Sequence, residues 1–267
     1  MNEPIRIRAS SWGSLFDCAH RWEGEHILGM RKASGFRAQL GTAVHAGTAA
    51  FDQANLDGAP ISIDDAAGVF VETLRNPEQD IDYKQDDLKP SEGEAIGLKL
   101  LARYCTGIAP SMDYQSVEMA LEPLLIDCGN GIVLRLTGTM DRARVARVDG
   151  RKIIPDIKTG ARVIANGVVS TQGRAAQLGA YQLMSENTDG EPTDGAQIIG
   201  LQTTASANVG VSRIFDAKRV MLGTETQKGF IEFAAVMFQT GLFPPNPQSQ
   251  LCSPKYCARW GQCMYHE

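Results

Sequence analysis

The stretch that decides the fold is "TGTMDRARVARVDGRKIIPDIKTG", residues 137–160. Its β-branched residues and flanking glycines predict two neighbouring strands. Asp149-Gly150 between them is typical of a two-residue type I′ hairpin loop. Together with the β-rich residues from about 115 onward, the stretch predicts a meander of three strands.

The register of this hairpin determines which side chains meet. With a two-residue loop, Asp141 lies directly opposite Lys158. Side chains alternate between the two faces of a strand, so Asp156 points to the same face as Lys158. The Cα atoms of the diagonal pair Asp141 and Asp156 are then about 7–8 Å apart, and their carboxylates can approach more closely. We therefore expect two carboxylates and one ammonium group on one face.

This combination predicts a metal site for phosphodiester chemistry. Carboxylate oxygens suit Mg²⁺ or Mn²⁺. Such an ion activates water, while a lysine beside it orients the attacking group or neutralises charge on a phosphate. The alternative is a surface ion pair on the solvent face of a sheet, which is the commoner origin of an isolated Asp-x-Lys. The glycines in "TGTMD" and "DIKTG" favour the metal site, because they permit close backbone approach.

Composition indicates an ordinary globular chain. The protein has 267 residues, of which 43% are hydrophobic and 21% charged. No apolar run reaches the roughly 20 residues that span a bilayer, so we expect no membrane association. The N-terminal residues lack a signal-peptide pattern, which predicts an intracellular protein in a reducing compartment. The net charge of −5 gives no global basic field for nucleic acid, although a local basic patch is compatible with it.

The remaining pattern alternates helices and strands without repeats or linkers. We predict a single α/β domain over residues 1–267, with a helical cap and a cysteine-bearing tail over 245–267. The predicted helices begin near Ser10 or Ser11 and near Leu40, and cover 62–76, 92–108, 174–187 and 223–240. Further strands are predicted at 196–204 and 210–217, and an acidic loop at 77–91.

The whole set of motifs resembles the PD-(D/E)XK nuclease superfamily. The pieces occur in family order: "SSWGSLFDCAHRW", "GTAVHAG", "GTMDR", "PDIKTG", "QLGAYQ" and the terminal "CSPKYCARWGQC". The resemblance is to the RecB-like branch, which includes AddB-type, CRISPR-associated and phage recombination exonucleases, several of them with an iron-sulfur cluster. It implies a restriction-endonuclease-like α/β core, in which helices flank a mixed central sheet.

The resemblance also assigns roles to individual residues. It implies that His45, Asp141, Asp156 and the backbone carbonyl of Ile157 bind Mg²⁺ or Mn²⁺, and that Lys158 is the catalytic lysine. An additional acidic ligand upstream fits either Glu118 or Glu122, and the sequence does not choose between them.

Gln177 and Tyr181 match a Gln-x-x-x-Tyr element, which implies contact with the substrate strand. Residues four apart share a helix face, so both side chains can reach one strand. Each assignment has a structural alternative: His45 could be a hydrogen-bonded core residue, and the Gln-Tyr pair two half-buried helix positions.

Six cysteines in a reducing compartment are more often free thiols or metal ligands than disulfides. The resemblance implies a 4Fe-4S cluster bound by one N-terminal and three C-terminal cysteines, here Cys18, Cys252, Cys257 and Cys263. Structural zinc is the alternative, and the absence of close Cys-x-x-Cys pairs argues against it. We expect Cys105 and Cys128 to be ordinary helix and strand residues, and His20, His26 and His266 to have no metal site.

The leading hypothesis is a metal-dependent DNA exonuclease of recombination, repair or phage DNA processing. The resemblance implies work in the cytoplasm of a bacterial or phage-infected cell, beside a strand-annealing or other recombination partner. No phosphate-binding P-loop is present, so a helicase motor is not expected in this chain. The alternatives are a noncatalytic DNA-binding protein that keeps the nuclease fold, and an iron-sulfur redox or scaffold protein.

Overall fold

The computed structural model describes residues 3–266. Its helices are α1 (Trp12–Asp17), α2 (Ala19–His26), α3 (Phe36–Leu56), α4 (Ile63–Arg75), α5 (Pro90–Arg103), α6 (Ala175–Asp189), α7 (Lys218–Leu222) and α8 (Phe230–Thr240). Its strands are β1 (Ile5–Arg8), β2 (Ser34–Gly35), β3 (Ile81–Asp82), β4 (Tyr114–Ala120), β5 (Leu124–Asp127), β6 (Val133–Thr137), β7 (Thr139–Val145), β8 (Lys152–Thr159), β9 (Ile164–Ala165), β10 (Val168–Val169), β11 (Gly195–Leu201) and β12 (Val209–Val211). Within this part of the chain, no helix has both the length and the apolar character needed to cross a bilayer.

The central sheet has five strands in the order β12-β11-β8-β7-β4. β8 and β11 are parallel, and the other neighbours are antiparallel, so the sheet is mixed as predicted. A second sheet, β1-β6-β5, joins it where β6 runs into β7 and β4 into β5. The predicted three-stranded meander is therefore wrong, because β4 to β8 are separate strands shared between two sheets.

Two hydrophobic cores cover the two faces of the central sheet. One packs α3, α4 and α5 against residues such as Ile157 and Ile199, and the other packs α1, α2, α6, α7 and α8 against residues such as Ile154 and Ile198. β11 is buried along its whole length, since both of its faces meet helices. The alternation along β8 directs Asp156 and Lys158 to the face of Ile154, toward α6.

The β7–β8 connection differs from the predicted two-residue turn. The Ala146 N–H donates to the Arg151 carbonyl, and the Gly150 N–H donates back to the Ala146 carbonyl, which encloses a four-residue loop over 147–150. Arg144 then pairs with Ile153, and continuing this register places Asp141 opposite Asp156, not opposite Lys158. The shift is two residues, so the prediction of a shared face for both carboxylates and the lysine still holds.

Most predicted helices occur, with local differences. The N-terminal helix is interrupted at Cys18, which has an extended conformation between α1 and α2. α4 begins at Ile63, one residue after the predicted start, and Ser62 caps it in a reciprocal capping box with Asp65. The predicted helix over 223–240 begins only at Phe230, because the backbones of Gly223 and Gly229 pack too closely for any side chain to fit. The predicted strand over 210–217 is limited to β12.

Candidate active site

α3 carries His45 to the end of the central sheet. A Cβ on Gly41, one turn earlier, would lie 2.6 Å from Thr159 Oγ1, so the absence of a side chain there lets α3 approach the end of β8. His45 Nδ1 consequently lies 3.5 Å from Asp141 Oδ2, and the imidazole also contacts the Ile157 backbone. The helix therefore brings the predicted histidine to both of its predicted neighbours.

At the same end of the sheet, β7 and β8 stop pairing through their backbones. The Ile157 N–H donates instead to the Asp141 carboxylate over 3.0 Å. On the adjacent position, Lys158 Nζ lies 2.6 Å from Asp156 Oδ2. Asp156 is completely buried, and the side chain of Asp141 is 13% exposed. Two carboxylates and an ammonium group thus meet where the strands separate.

Glu118 of β4 completes a possible metal site. Ligand atoms of His45, Glu118 and Asp141 all lie within 4.8 Å of one another. Glu118 has a positive φ of 47°, a strained conformation for a residue with a side chain and one that is concentrated at functional sites. Glu122, the other candidate, lies outside this group; its N–H donates to the Thr188 hydroxyl, and its side chain is exposed.

Asp156 lies beside the three grouped residues. Its Oδ2 is buried and accepts no hydrogen bond of good geometry, so the Lys158 ammonium is its only close partner among the described residues. A carboxylate oxygen in a dry site is costly unless a cation reaches it, and for Asp156 Oδ2 that cation is the Lys158 ammonium. The imidazole of His45 and the carboxylates of Glu118 and Asp141 are donors that fit a divalent cation.

Electrostatics at the site reflect the removal of these groups from water. Burial, together with the nearby Lys158 charge, lowers the pKa of His45 to about 4, so the imidazole is neutral and able to act as a ligand at neutral pH. Burial raises the pKa of Asp156 to about 6, against the opposing effect of Lys158. Burial likewise raises the pKa values of Asp141 and Glu118. The site is thus a concentration of carboxyl groups that a cation would stabilise in the charged form.

α6 supplies the predicted Gln-Tyr pair on the same side. Gln177 Nε2 lies 3.3 Å from Asp156 Oδ1 and 3.3 Å from the Tyr181 hydroxyl. Tyr181 is buried over Gly138, where a Cβ would lie 2.9 Å from the tyrosine ring. The structure therefore brings all of the predicted catalytic and substrate-binding residues to one end of the sheet.

Comparison with known proteins identifies the family of this chain. The sequence model of the PD-(D/E)XK nuclease superfamily matches residues 9–264. The chain belongs to the PD-(D/E)XK nuclease superfamily.

Solved structures agree with this membership at the level of the fold. The crystal structure of a candidate exonuclease from Eubacterium rectale superposes with a TM-score of 0.56 at 12% sequence identity, and the match covers 98% of this chain and 90% of that one. Among curated proteins, none matches the sequence significantly. The restriction-endonuclease-like mixed α/β core predicted from the sequence is confirmed.

A buried arginine of this PD-(D/E)XK chain, Arg142, was not predicted from the sequence. Arg142, next to Asp141, is completely buried and donates through Nε to Asp52 Oδ2 over 2.8 Å. Its Nη1 donates to Glu118 Oε1 over 3.2 Å and to the Asp141 carbonyl over 2.7 Å. Tyr104 O–H donates to the same Asp52 carboxylate. The available signal was strand alternation, which places an arginine beside Asp141 on the opposite, helix-covered face.

The four predicted cluster cysteines of this superfamily member line one small cavity. The cavity is formed by Cys18, Arg21, Pro245, Asn246, Pro247, Ser249, Leu251, Cys252, Cys257, Cys263 and Tyr265. The Asn246 N–H donates to Cys18 Sγ over 3.4 Å, which joins the two ends of the chain. Cys105 and Cys128 lie elsewhere, in α5's π-helical extension and after β5. The fourth cysteine is therefore close to the C-terminal three.

Further contacts anchor the C-terminal segment. Arg259 Nη1 donates to Glu23 Oε2 over 2.6 Å, and Gln85 Nε2 donates to the Lys255 carbonyl over 2.8 Å. Asp86 receives the N–H of Arg37 at the start of α3 and lies 3.3 Å from Lys255 Nζ. Part of the predicted acidic loop at 77–91 thus connects the cysteine segment to α3.

Proposed function

We propose that this PD-(D/E)XK protein is a metal-dependent DNA exonuclease. The observation that carries the proposal is the grouping of His45, Glu118 and Asp141 within 4.8 Å, beside Asp156 and its partner Lys158. Oxygen donors with one neutral imidazole suit Mg²⁺ or Mn²⁺. The Eubacterium rectale protein that shares this fold is a candidate exonuclease, which supports the same activity.

In this proposal, His45, Glu118, Asp141, Asp156 and the Ile157 carbonyl hold the ion. When bound, the ion lowers the pKa of a water molecule and neutralises charge on the scissile phosphate. Lys158 places a second positive charge on the same side, 2.6 Å from Asp156, where it stabilises the charge that develops on the phosphate oxygens. Water adds to phosphorus as the bond to the leaving oxygen breaks.

Gln177 and Tyr181 hold the substrate strand in this arrangement. Both groups have a hydrogen-bonding capacity that their mutual contact does not exhaust, since an amide offers two donors and one acceptor. Tyr181 remains a neutral hydroxyl at neutral pH, because burial raises its pKa well above the usual range. It can therefore donate to a phosphate oxygen and accept from Gln177 at the same time.

We further propose that Cys18, Cys252, Cys257 and Cys263 bind a 4Fe-4S cluster. Four cysteines lining one cavity fit four-thiolate ligation. Tetrahedral zinc with Zn–S of 2.3 Å requires sulfur atoms about 3.8 Å apart. Among the described residues, no three thiols lie within 4.8 Å of one another. This wider spacing favours a multi-iron cluster over a single zinc ion.

We assign the enzyme to DNA recombination, repair or phage DNA processing in the cytoplasm, with a strand-annealing protein as the partner. This assignment rests on analogy with relatives of the same fold.

The test is degradation of end-labelled linear duplex and single-stranded DNA by anaerobically purified protein. We expect shortening from the ends with Mg²⁺ or Mn²⁺, none with EDTA, and a loss of at least about 10²-fold in Lys158→Ala, consistent with the removal of one charge that stabilises the transition state. Covalently closed circular duplex should remain intact. Cutting of the circle would identify an endonuclease, and binding of DNA without any cutting by cluster-loaded protein would contradict the enzyme.

A further inference from the structure

The outer face of the second sheet presents a strip of three arginines. Arg6 and Arg8 of β1 and Arg135 of β6 are all exposed. In the parallel register of the two strands, Arg6 lies directly opposite Arg135. We call Arg6, Arg8 and Arg135 the arginine strip.

The charges of the arginine strip are not neutralised within the protein. Over residues 3–266, none of the three has a carboxylate within ion-pair distance; the single side-chain hydrogen bond is a long one from Arg6 Nε to Thr137 Oγ1, 3.4 Å. Like charges directly opposite each other on neighbouring strands are destabilising. The arginine strip, with its like charges side by side and no carboxylate near them, is therefore suited to bind an external polyanion.

The strip continues into the active site. Arg6, Arg8, Thr137, Gly138 and Tyr181 line one open groove. Tyr181 is at its inner end, and its hydroxyl contacts Gln177, which contacts Asp156. The groove thus leads from the exposed arginines to the hydrogen-bonded pair beside the candidate metal site.

We propose that the arginine strip binds the phosphate backbone of the DNA strand that enters or leaves the active site. This inference rests on the proposed nuclease function and extends it to substrate contact away from the scissile bond. Alternate residues on a strand are about 6.6 Å apart, which is comparable to the spacing of neighbouring phosphates along one DNA strand. Arg6 and Arg8 can therefore contact successive phosphates, while Arg135 flanks the first of them from the adjacent strand. Such contacts fix the strand's position without reading its sequence.

The test is the salt dependence of DNA binding. The triple variant Arg6→Gln/Arg8→Gln/Arg135→Gln is compared with wild type by fluorescence anisotropy, using labelled single-stranded and duplex oligonucleotides in EDTA. The matched control is Arg213→Gln, at another exposed arginine without an ion pair in the described chain, after β12 on the opposite edge of the central sheet. Far-UV circular dichroism and the thermal midpoint confirm that each variant is folded.

We expect DNA affinity to fall on the order of tenfold or more in the triple variant, and the slope of log K against log salt to decrease by about 0.7 per lost contact on single strands. KM for degradation should rise in parallel. The control should retain wild-type affinity and slope.

Two results would overturn the inference while leaving the nuclease intact. One is a triple variant that keeps the wild-type slope and affinity while the wild type degrades DNA. The other is a loss in Arg213→Gln, which removes one charge, equal to about a third of the logarithmic loss in the triple variant, which removes three; the effect would then follow from net charge alone. A wild type that neither binds nor degrades DNA would instead remove the proposed function, and this inference with it.

Discussion

Arg142 shows how one buried charge can set the geometry of a site that it does not enter. Its guanidinium joins Asp52 of α3 to Glu118 of β4, and its backbone neighbour is Asp141. Glu118 occupies a strained left-handed conformation, which persists only where surrounding contacts hold it. We therefore interpret Arg142 as a positioning residue for Glu118.

We expect Arg142→Met to lower the free energy of unfolding by about 3–5 kcal/mol, because the Asp52 carboxylate is left buried without its partner. Arg142→Met/Asp52→Asn should regain much of that stability, since the neutral amide can still accept the Tyr104 hydroxyl. Mn²⁺ affinity, measured by electron paramagnetic resonance, should stay reduced in both variants, because neither holds Glu118. Recovery of Mn²⁺ affinity in the double variant would show that Arg142 acts on stability alone.

The stability defect of Arg142→Met should also depend on pH. Burial raises the pKa of Asp52, and Arg142 opposes that rise. A carboxyl whose folded pKa exceeds its unfolded value of about 3.9 loses stability as pH rises through the folded value. Without Arg142 the pKa of Asp52 rises further, so the difference in unfolding free energy between wild type and variant should grow from pH 5 to pH 8. A constant difference across that range, in denaturant titrations, would contradict an ionised Asp52 as the cause.

Strand register explains which parts of the site could be predicted from the sequence. The predicted loop at Asp149-Gly150 was two residues too short. The strand register is therefore shifted by two residues, and a shift by an even number keeps Asp141, Asp156 and Lys158 on one face. Glu118 could not be chosen over Glu122, because residues four apart share a strand face and no short turn fixes the pairing of β4 with β7 that places Glu118 opposite Asp141. The start of α8 was not predicted, because Gly223 and Gly229 close a tight loop, in which Gly223 forms a bridge with Lys228, immediately before the helix.

The approach of α3 to β8 gives a prediction about a helix position. Gly41→Ala introduces a Cβ that would lie 2.6 Å from Thr159 Oγ1, so α3 or Thr159 must move, and His45 moves with the helix. We expect weaker Mn²⁺ binding and slower DNA degradation. Gly41→Ala/Thr159→Ala should restore both, because the nearest remaining atom, Thr159 Cβ, is at an ordinary 3.7 Å.

The control for that pair is Gly68→Ala on α4, where an added Cβ meets nothing within 4 Å. It should raise the free energy of unfolding by up to about 1 kcal/mol through helix propensity and leave activity unchanged. If Gly41→Ala behaves like this control, with a stability gain and full metal affinity, close packing of α3 on β8 does not position His45.

Across the whole molecule, the cysteine cavity joins the two ends of the chain. The polar contacts that accompany it, such as the pair of Arg259 with Glu23, are partly exposed, and such pairs contribute about 0–1 kcal/mol each. A ligated cluster between Cys18 and the C-terminal cysteines would close a loop of more than 200 residues and contribute far more. We therefore expect the cluster, and not these contacts, to hold the segment over 246–263 in place.

Cys18→Ser tests this with little change in side-chain volume, and Cys128→Ser, outside the cavity, is the matched control. In Cys18→Ser we expect loss of bound iron and faster amide hydrogen exchange in α1, α2 and 246–263. β8 and β11 should stay protected, because their hydrogen bonds lie in the covered centre of the sheet.

Unchanged exchange at 246–263 after iron is lost would mean that the polar contacts suffice to hold this segment in place. Exchange that increases equally in β8 would mean that the cluster stabilises the nuclease core itself, and then loss of activity in Cys18→Ser could not be attributed to the termini alone.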